Sequence, residues 1–269
     1  MCRIAAFPPN FPREEALSIL ANFENKNTDG TGSAYVKANG EFVIEKWAKS
    51  LGWVINNKSS FLSHMPYNKG WTIVHLRAAS HGKNTKENTH PFVIGDWAFI
   101  HNGIWSEYNL VRLALSKSVK MSGETDSEVA GHFWNIIGPK KFSEVVTYSG
   151  VFMGLHKSGN LWIAKTNGDL EINALKRKRV LLASELSPVK YENRVDALNG
   201  WYHFNPQGKY VAHKENSHNW SSGYPYRGAV TDCSVSYGST CHPHRVIYDH
   251  DDDDFSFVQH QSRYFGDGD

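Results

Sequence analysis

Between Trp71 and Gly103 the chain sets His75, Arg77, Ser80, His81, His90, Asn102 and Gly103 at the points where apolar runs stop. Thr72 to Leu76 is a short apolar run that ends at Arg77. Phe92 to Ile100 alternates, then continues apolar until His101, Asn102 and Gly103. Such runs read as buried strands. Polar groups at the ends of rigid strands are held in place for chemistry, so a fold that buries both runs must bring these residues around one cleft.

The second constraint is Cys2, which follows the initiator methionine. If Met1 is removed, one residue carries both a nucleophilic thiol and a base, its own α-amine. The free α-amine titrates at about 7.7–8.0 and a thiol at about 8.5, so proton transfer between them is close to balanced at neutral pH. Taken alone, Cys2 reads more readily as a small buried hydrophobe opening the strand Cys2 to Phe7, which Pro8 and Pro9 end.

Five segments together resemble the class II glutamine amidotransferases, a family of N-terminal nucleophile hydrolases. They are Met1-Cys2-Arg3, His75-Leu76-Arg77-Ala78-Ala79-Ser80-His81-Gly82, Asn88-Thr89-His90-Pro91, Ile100-His101-Asn102-Gly103 and Gly123-Glu124-Thr125-Asp126-Ser127-Glu128, in the family's order and spacing. The resemblance extends over residues 2 to 215. It implies an α+β fold, the four-layer αββα sandwich of two antiparallel sheets of the N-terminal nucleophile hydrolases.

It also implies roles. Cys2 would attack a glutamine side-chain amide to form a thioester, with Asn102 and the Gly103 N–H as the oxyanion hole. Arg77 would pair with the α-carboxylate, Asp126 with the α-ammonium, and Ser80 and His81 would complete the carboxylate pocket. Two departures stand out. Ala78 replaces the family's tryptophan, which removes a bulky wall and admits a γ-glutamyl compound larger than glutamine. Lys26-Asn27 stands where the family often has Arg-Gly.

Read without the resemblance, Arg77 serves as well in a structural ion pair. Asp126 with Thr125 and Glu128 makes a helix N-cap, and Asn102-Gly103 makes a turn. His75, His90 and His101 read as hydrogen-bonded structural histidines, since the α-amine already supplies a base.

The remaining elements follow from periodicity. Arg13 to Phe23 reads as an amphipathic helix, Asp29 to Gly32 as a turn, and Ser33–Val36 with Glu41–Lys46 as a hairpin around Asn39-Gly40. A helix is expected near Trp47, followed by a loop, and two more over Trp105 to Ser116 and Ser127 to Ile137. Hairpins are expected at 152–165 and 201–211. Val180 to Ala183 reads as a strand leading into Ser184-Glu185, similar to a family Ala-Ser-Glu segment.

At 269 residues with a net charge of +2, the chain is long enough for one substantial core. The expected division is a glutaminase domain over residues 2–213 and a tail over 214–269 rich in Ser, Tyr, His and Asp, with an acidic run from Asp251 to Asp254. Cys233, Cys241, His242 and His244 match no usual zinc-finger spacing, so neither metal nor cofactor is expected. The three cysteines outline no disulfide framework. The absence of a long apolar run or a signal-peptide pattern makes a cytoplasmic protein with no membrane partner the expectation. Balanced charge gives no reason to expect a nucleic-acid partner. The expected ligand is L-glutamine or a γ-glutamyl compound. Three readings stay open: ammonia passed to a separate synthase subunit, a stand-alone amidase on a γ-glutamyl compound, or a catalytically silent binding module.

Overall fold

The computed structural model of the chain describes residues 1–80, 82–187, 190–191 and 193–215. His81 and the tail with its cysteines, histidines and acidic run lie outside the described residues.

In chain order the elements are β1 (Arg3–Phe7), α1 (Arg13–Ala21), β2 (Gly30–Val36), β3 (Phe42–Trp47), α2 (Leu51–Asn57), β4 (Thr72–Arg77), β5 (Phe92–Ile94), β6 (Trp97–Ile104) and α3 (Tyr108–Leu115). They continue with α4 (Asp126–Ile137), α5 (Pro139–Val145), β7 (Ser149–His156), β8 (Leu161–Thr166), β9 (Glu171–Leu175), β10 (Arg179–Ala183), β11 (Arg194–Asp196), β12 (Gly200–Phe204) and β13 (Tyr210–Glu215). One sheet runs β11-β9-β10-β1-β4-β2-β3 and the other β13-β12-β8-β7-β6-β5, with antiparallel pairing throughout both ladders.

Alternation sorts each strand's side chains onto two faces, and both faces of both sheets are covered. Ile4, Ala6 and Ile73 of the first sheet meet Ile100, Met153 and Ile163 of the second in a central core. Ala5, Phe7, Val74 and Leu76 point the other way, against Ile19 and Leu20 of α1 and Leu51 and Val54 of α2. On the outer face of the second sheet, Phe99 and Phe152 pack on Val129 and Trp134 of α4 and Phe142 of α5. The expected four layers, helix, sheet, sheet and helix, are therefore present.

Three local expectations are corrected. Residues 30–32 are not a turn. Gly30 and Gly32 lie inside β2, and glycine is required at 32 because a Cβ there would collide with the His90 carbonyl. Trp47 ends β3, and the helix expected there begins at Leu51, where the Ser50 hydroxyl accepts from the Trp53 N–H at 3.2 Å. The run Phe92 to Ile100 is split into β5 and β6 by a turn at Gly95, which takes φ +57°.

The hairpin at Asn39-Gly40 forms as expected, with Gly40 at φ +84°. The strands β9 and β11 and the helix α5 escaped the sequence reading. They are short, and their apolar residues follow neither period for long enough to stand out.

Candidate active site

Register decides what surrounds Cys2. Strand β1 lies between β4 and β10, with Arg3 opposite Leu76 and Ile4 opposite His75. The half-buried Cys2 immediately precedes it, and its Sγ donates to the Ala78 carbonyl at 3.5 Å, just past the end of β4. Burial pushes the thiol's pKa up, and Asp126 adds to that; the positive N-terminus and the Arg77 guanidinium act against it.

On the other flank, past the end of β10, Ser184 is 5% exposed. Its backbone N–H donates to the Ile4 carbonyl at 2.9 Å, and its hydroxyl accepts from the Ile4 N–H at 3.0 Å. The same hydroxyl accepts from Asn102 Nδ2 at 3.4 Å. One oxygen thus ties the strand that follows Cys2 in the first sheet to Asn102 in the second. The sequence reading quoted Ser184 only as part of a segment. Its position against Ile4 depends on the β1–β10 pairing, which spans most of the described chain.

Asn102 and Gly103 are not at a turn; they lie within β6, opposite Val151 and Gly150. Asn102 is buried, and its Oδ1 has no partner among the described residues. Gly103 takes φ +152°, and a Cβ on it would collide with the Ser149 carbonyl. Only glycine lets the two strands close at this point.

Arg77 ends β4, 3% exposed, and donates through Nη1 to the Lys83 carbonyl at 3.2 Å and through Nη2 to that of Gly82 at 3.3 Å. Ser80 lies on the exposed segment after β4. Asp126 opens α4, with Thr125 as the N-cap accepting from the Glu128 N–H at 3.3 Å. The Asp126 carboxylate accepts from the backbone N–H of Trp105 and of Ser127, both at 2.9 Å, and lies 3.9 Å from His101 Nδ1.

The two loops that carry Arg77's partners and Asp126 are joined by Asn88. Its Nδ2 donates to the Lys83 carbonyl at 3.1 Å, and its Oδ1 accepts from the Glu124 N–H at 2.8 Å. Glu128 secures the same loop by accepting from the backbone N–H of Ser122 at 2.6 Å and of Gly123 at 2.7 Å. Sequence reading placed Asn88 in a motif without a role. Asn27, at the Lys26-Asn27 departure, is buried and donates to the Phe23 carbonyl at 2.7 Å.

Three histidines are buried behind the site. His75 Nε2 lies 3.1 Å from the His101 carbonyl, and His101 Nδ1 lies 3.0 Å from the Ser127 hydroxyl. Contrary to expectation, neither nitrogen of His90 has a hydrogen-bond partner among the described residues; its ring packs 4.0 Å from that of His75. Burial lowers the pKa of His75 to about 3 and of His101 to about 4, and that of His90 well below its usual value. All three are neutral at physiological pH. Among the described residues no group of three or more His, Cys, Asp or Glu is placed to hold a metal ion, and no helix is long and apolar enough to cross a membrane.

The two-sheet sandwich, with Cys2 just ahead of the central strand of one sheet and Asn102-Gly103 on a strand of the other, has the fold of the N-terminal nucleophile hydrolases. The chain belongs to the class II glutamine amidotransferases, whose family model matches residues 1–138. It is 28% identical over 200 residues to a glutamine–fructose-6-phosphate aminotransferase of Helicobacter pylori, covering 70% of this chain and 33% of that protein. A probable enzyme of the same name from Acanthamoeba polyphaga mimivirus is 31% identical over 140 residues, which is 48% of this chain and 22% of the relative. The match thus spans a third or less of either relative.

The fold is also that of solved structures. The glutamine phosphoribosylpyrophosphate amidotransferase of B. subtilis superposes with a TM-score of 0.63 at 15% identity, covering 81% of this chain and 50% of that one. A glutamine aminotransferase class-II domain protein from Silicibacter pomeroyi gives a TM-score of 0.53 at 15% identity, covering 81% of this chain and all of that one, 100%.

Proposed function

We propose that this chain hydrolyses the side-chain amide of glutamine, or of a related γ-glutamyl compound, through Cys2. The observation that carries the reading is the Ser184 hydroxyl, which joins the Cys2 strand to Asn102. On the opposite flank, Arg77 and Asp126 both lie close enough to Cys2 to act on its charge.

Once Met1 is removed, the Cys2 α-amine takes the thiol proton, and the thiolate attacks the γ-carbonyl carbon. Asn102 Nδ2 has one N–H directed to Ser184, which leaves the other for the developing oxyanion beside the Gly103 N–H. The α-ammonium then gives its proton to the leaving nitrogen as the C–N bond breaks, and water cleaves the thioester to glutamate. Arg77 holds the α-carboxylate with a planar, permanently charged group, Asp126 holds the α-ammonium, and Ser80 and His81 close the carboxylate pocket.

In this reading residues 2–213 form the glutaminase unit, acting in the cytoplasm, and the ammonia passes to a separate synthase. A second reading, a stand-alone amidase, is favoured by Ala78, the residue whose backbone carbonyl accepts from the thiol and whose side chain is small.

Intact mass and ammonia release from L-glutamine, compared between wild type and Cys2→Ala, test the proposal. Protein lacking Met1 is expected to release ammonia, and Cys2→Ala is not. Retention of Met1 on folded protein from its native host would favour a silent binding module instead.

A further inference from the structure

A cavity of about 590 Å³, lined by Arg3, the residue after Cys2, and by Lys165, Gly168, Asp169, Ser184 and Asp196 among others, opens on the flank that the amino-acid grip does not use. Both sheets place it there. In the first, Arg77 lies at the end of β4 on one side of β1, while Ser184 follows β10 on the other, with β9 and β11 beyond. In the second, α4 with Asp126 packs on β5 and β6, while Lys165 lies on β8, two strands to the far side of Asn102.

Two contacts connect this cavity to the proposed oxyanion hole. Ser184 lines it and accepts from Asn102 Nδ2. Gly168 abuts Gly150, where an added Cβ would come within 2.6 Å of the Gly150 carbonyl carbon, and Gly150 is the β7 partner of Gly103.

A γ-glutamyl substrate gripped by its α-carbon end at Arg77 and Asp126 presents its γ-carbonyl to Cys2 and extends its amide nitrogen away from that grip. We propose that this cavity is the leaving-group subsite, and that the preferred substrates are γ-glutamyl amides of a charged, polar amine larger than ammonia. The inference rests on the γ-glutamyl hydrolase reading above.

Size and lining support it. Ammonia needs about the roughly 30 Å³ that a water molecule occupies, so a cavity of about 590 Å³ has room for a leaving amine of several heavy atoms. The walls carry both signs of charge. Lys165, 8% exposed, donates to Asn199 Oδ1 at 3.2 Å and keeps further N–H donors for a ligand oxygen. Asp196 offers an exposed carboxylate at the end of β11. Leu170, Ala197 and Leu198 also line it, but the charged and polar residues are the majority, and such walls suit an amine bearing its own charge better than a bare alkyl chain.

The chemistry balances as for glutamine: the thioester S–C bond forms, the amide C–N bond breaks, the leaving amine departs with the proton from the Cys2 α-ammonium, and water completes the hydrolysis.

The test is a comparison of kcat/KM for L-glutamine, γ-L-glutamyl-ethylamide, γ-L-glutamylglycine and γ-L-glutamyl-ethylenediamine, on protein whose mass shows Met1 removed. At least one of the last two is expected to exceed both glutamine and the ethylamide by about ten-fold or more. Asp196→Trp, which puts bulk at the cavity mouth, should remove that advantage and leave glutamine hydrolysis within about two-fold of wild type. Glutamine cleaved as well as every larger amide would overturn the subsite while leaving the hydrolase reading standing. No cleavage of any of the four would remove both. If Asp196→Trp does not fold, the wild-type series decides alone.

Discussion

Among single residues, Asn102 and Ser184 carry the sharpest expectations. Asn102→Ala removes the proposed oxyanion donor from a buried site, and kcat for glutamine should fall about 10²- to 10³-fold. Ser184→Ala removes no group from the reacting atoms, but it frees the Asn102 amide to rotate and leaves the Ile4 N–H unpaired. A fall in kcat of about ten-fold with KM unchanged is expected, since a misdirected donor weakens the transition state more than the bound substrate. In the Asn102→Ala background the Ser184 change should add little, because both act through one donor. Full additivity in steady-state kinetics would show that Ser184 acts on the strand alone.

The same scale shows what could be read in advance. Cys2, Arg77, Asn102 and Asp126 stand out only together, because each belongs to one of five motifs in a fixed order; taken singly each reads as a structural residue. Ser184 and Asn88 do not, since serine and asparagine are common in loops and only their partners distinguish them.

At the scale of elements, β2 shows why local signals mislead. Asp29-Gly30-Thr31-Gly32 has the composition of a turn, yet Gly30 to Val36 is a strand hydrogen-bonded on both sides, to β3 and β4. Glycine is needed at 32 because the His90 backbone, in the segment leading into β5, approaches too closely for a side chain there. Gly32→Ala should therefore destabilise the fold by about 1–3 kcal/mol or more, the usual cost of overpacking. Gly70→Ala, where the nearest neighbour of an added Cβ is a side-chain oxygen at 4.0 Å, should stay within about 0.5 kcal/mol of wild type. Urea midpoints of the two variants check the pair.

Helix α4 was readable because its acidic first turn and Thr125 cap mark its start in sequence. Strand β11 spans only Arg194–Asp196 and depends on its pairing with β9.

For the molecule as a whole, the buried histidines set a pH dependence. His75, His90 and His101 are held below their unfolded value of 6.5, and His64, stacked on Tyr35, is lowered to about 4. Between about pH 6.5 and 4 the unfolded chain therefore binds more protons than the folded one. The stability contributed by neutral histidines is complete above 6.5 and declines as pH falls through this window. Chemical denaturation at pH 7 and pH 5 should show lower stability at pH 5, and His90→Asn should narrow the difference. Equal stability at the two values would count against buried neutral histidines.

The sequence by itself determined the nucleophile candidate, the four-layer fold through its motifs, and the strong helices and hairpins, because those signals lie within a few residues of one another. Tertiary structure decided the rest: which hydroxyl steadies Asn102, which asparagine joins the Arg77 and Asp126 loops, why Gly32 must be glycine, and where a cavity opens beside Arg3 and Ser184. Each of these depends on strand order and register, which bring residues tens of positions apart into contact, and no local pattern encodes that proximity.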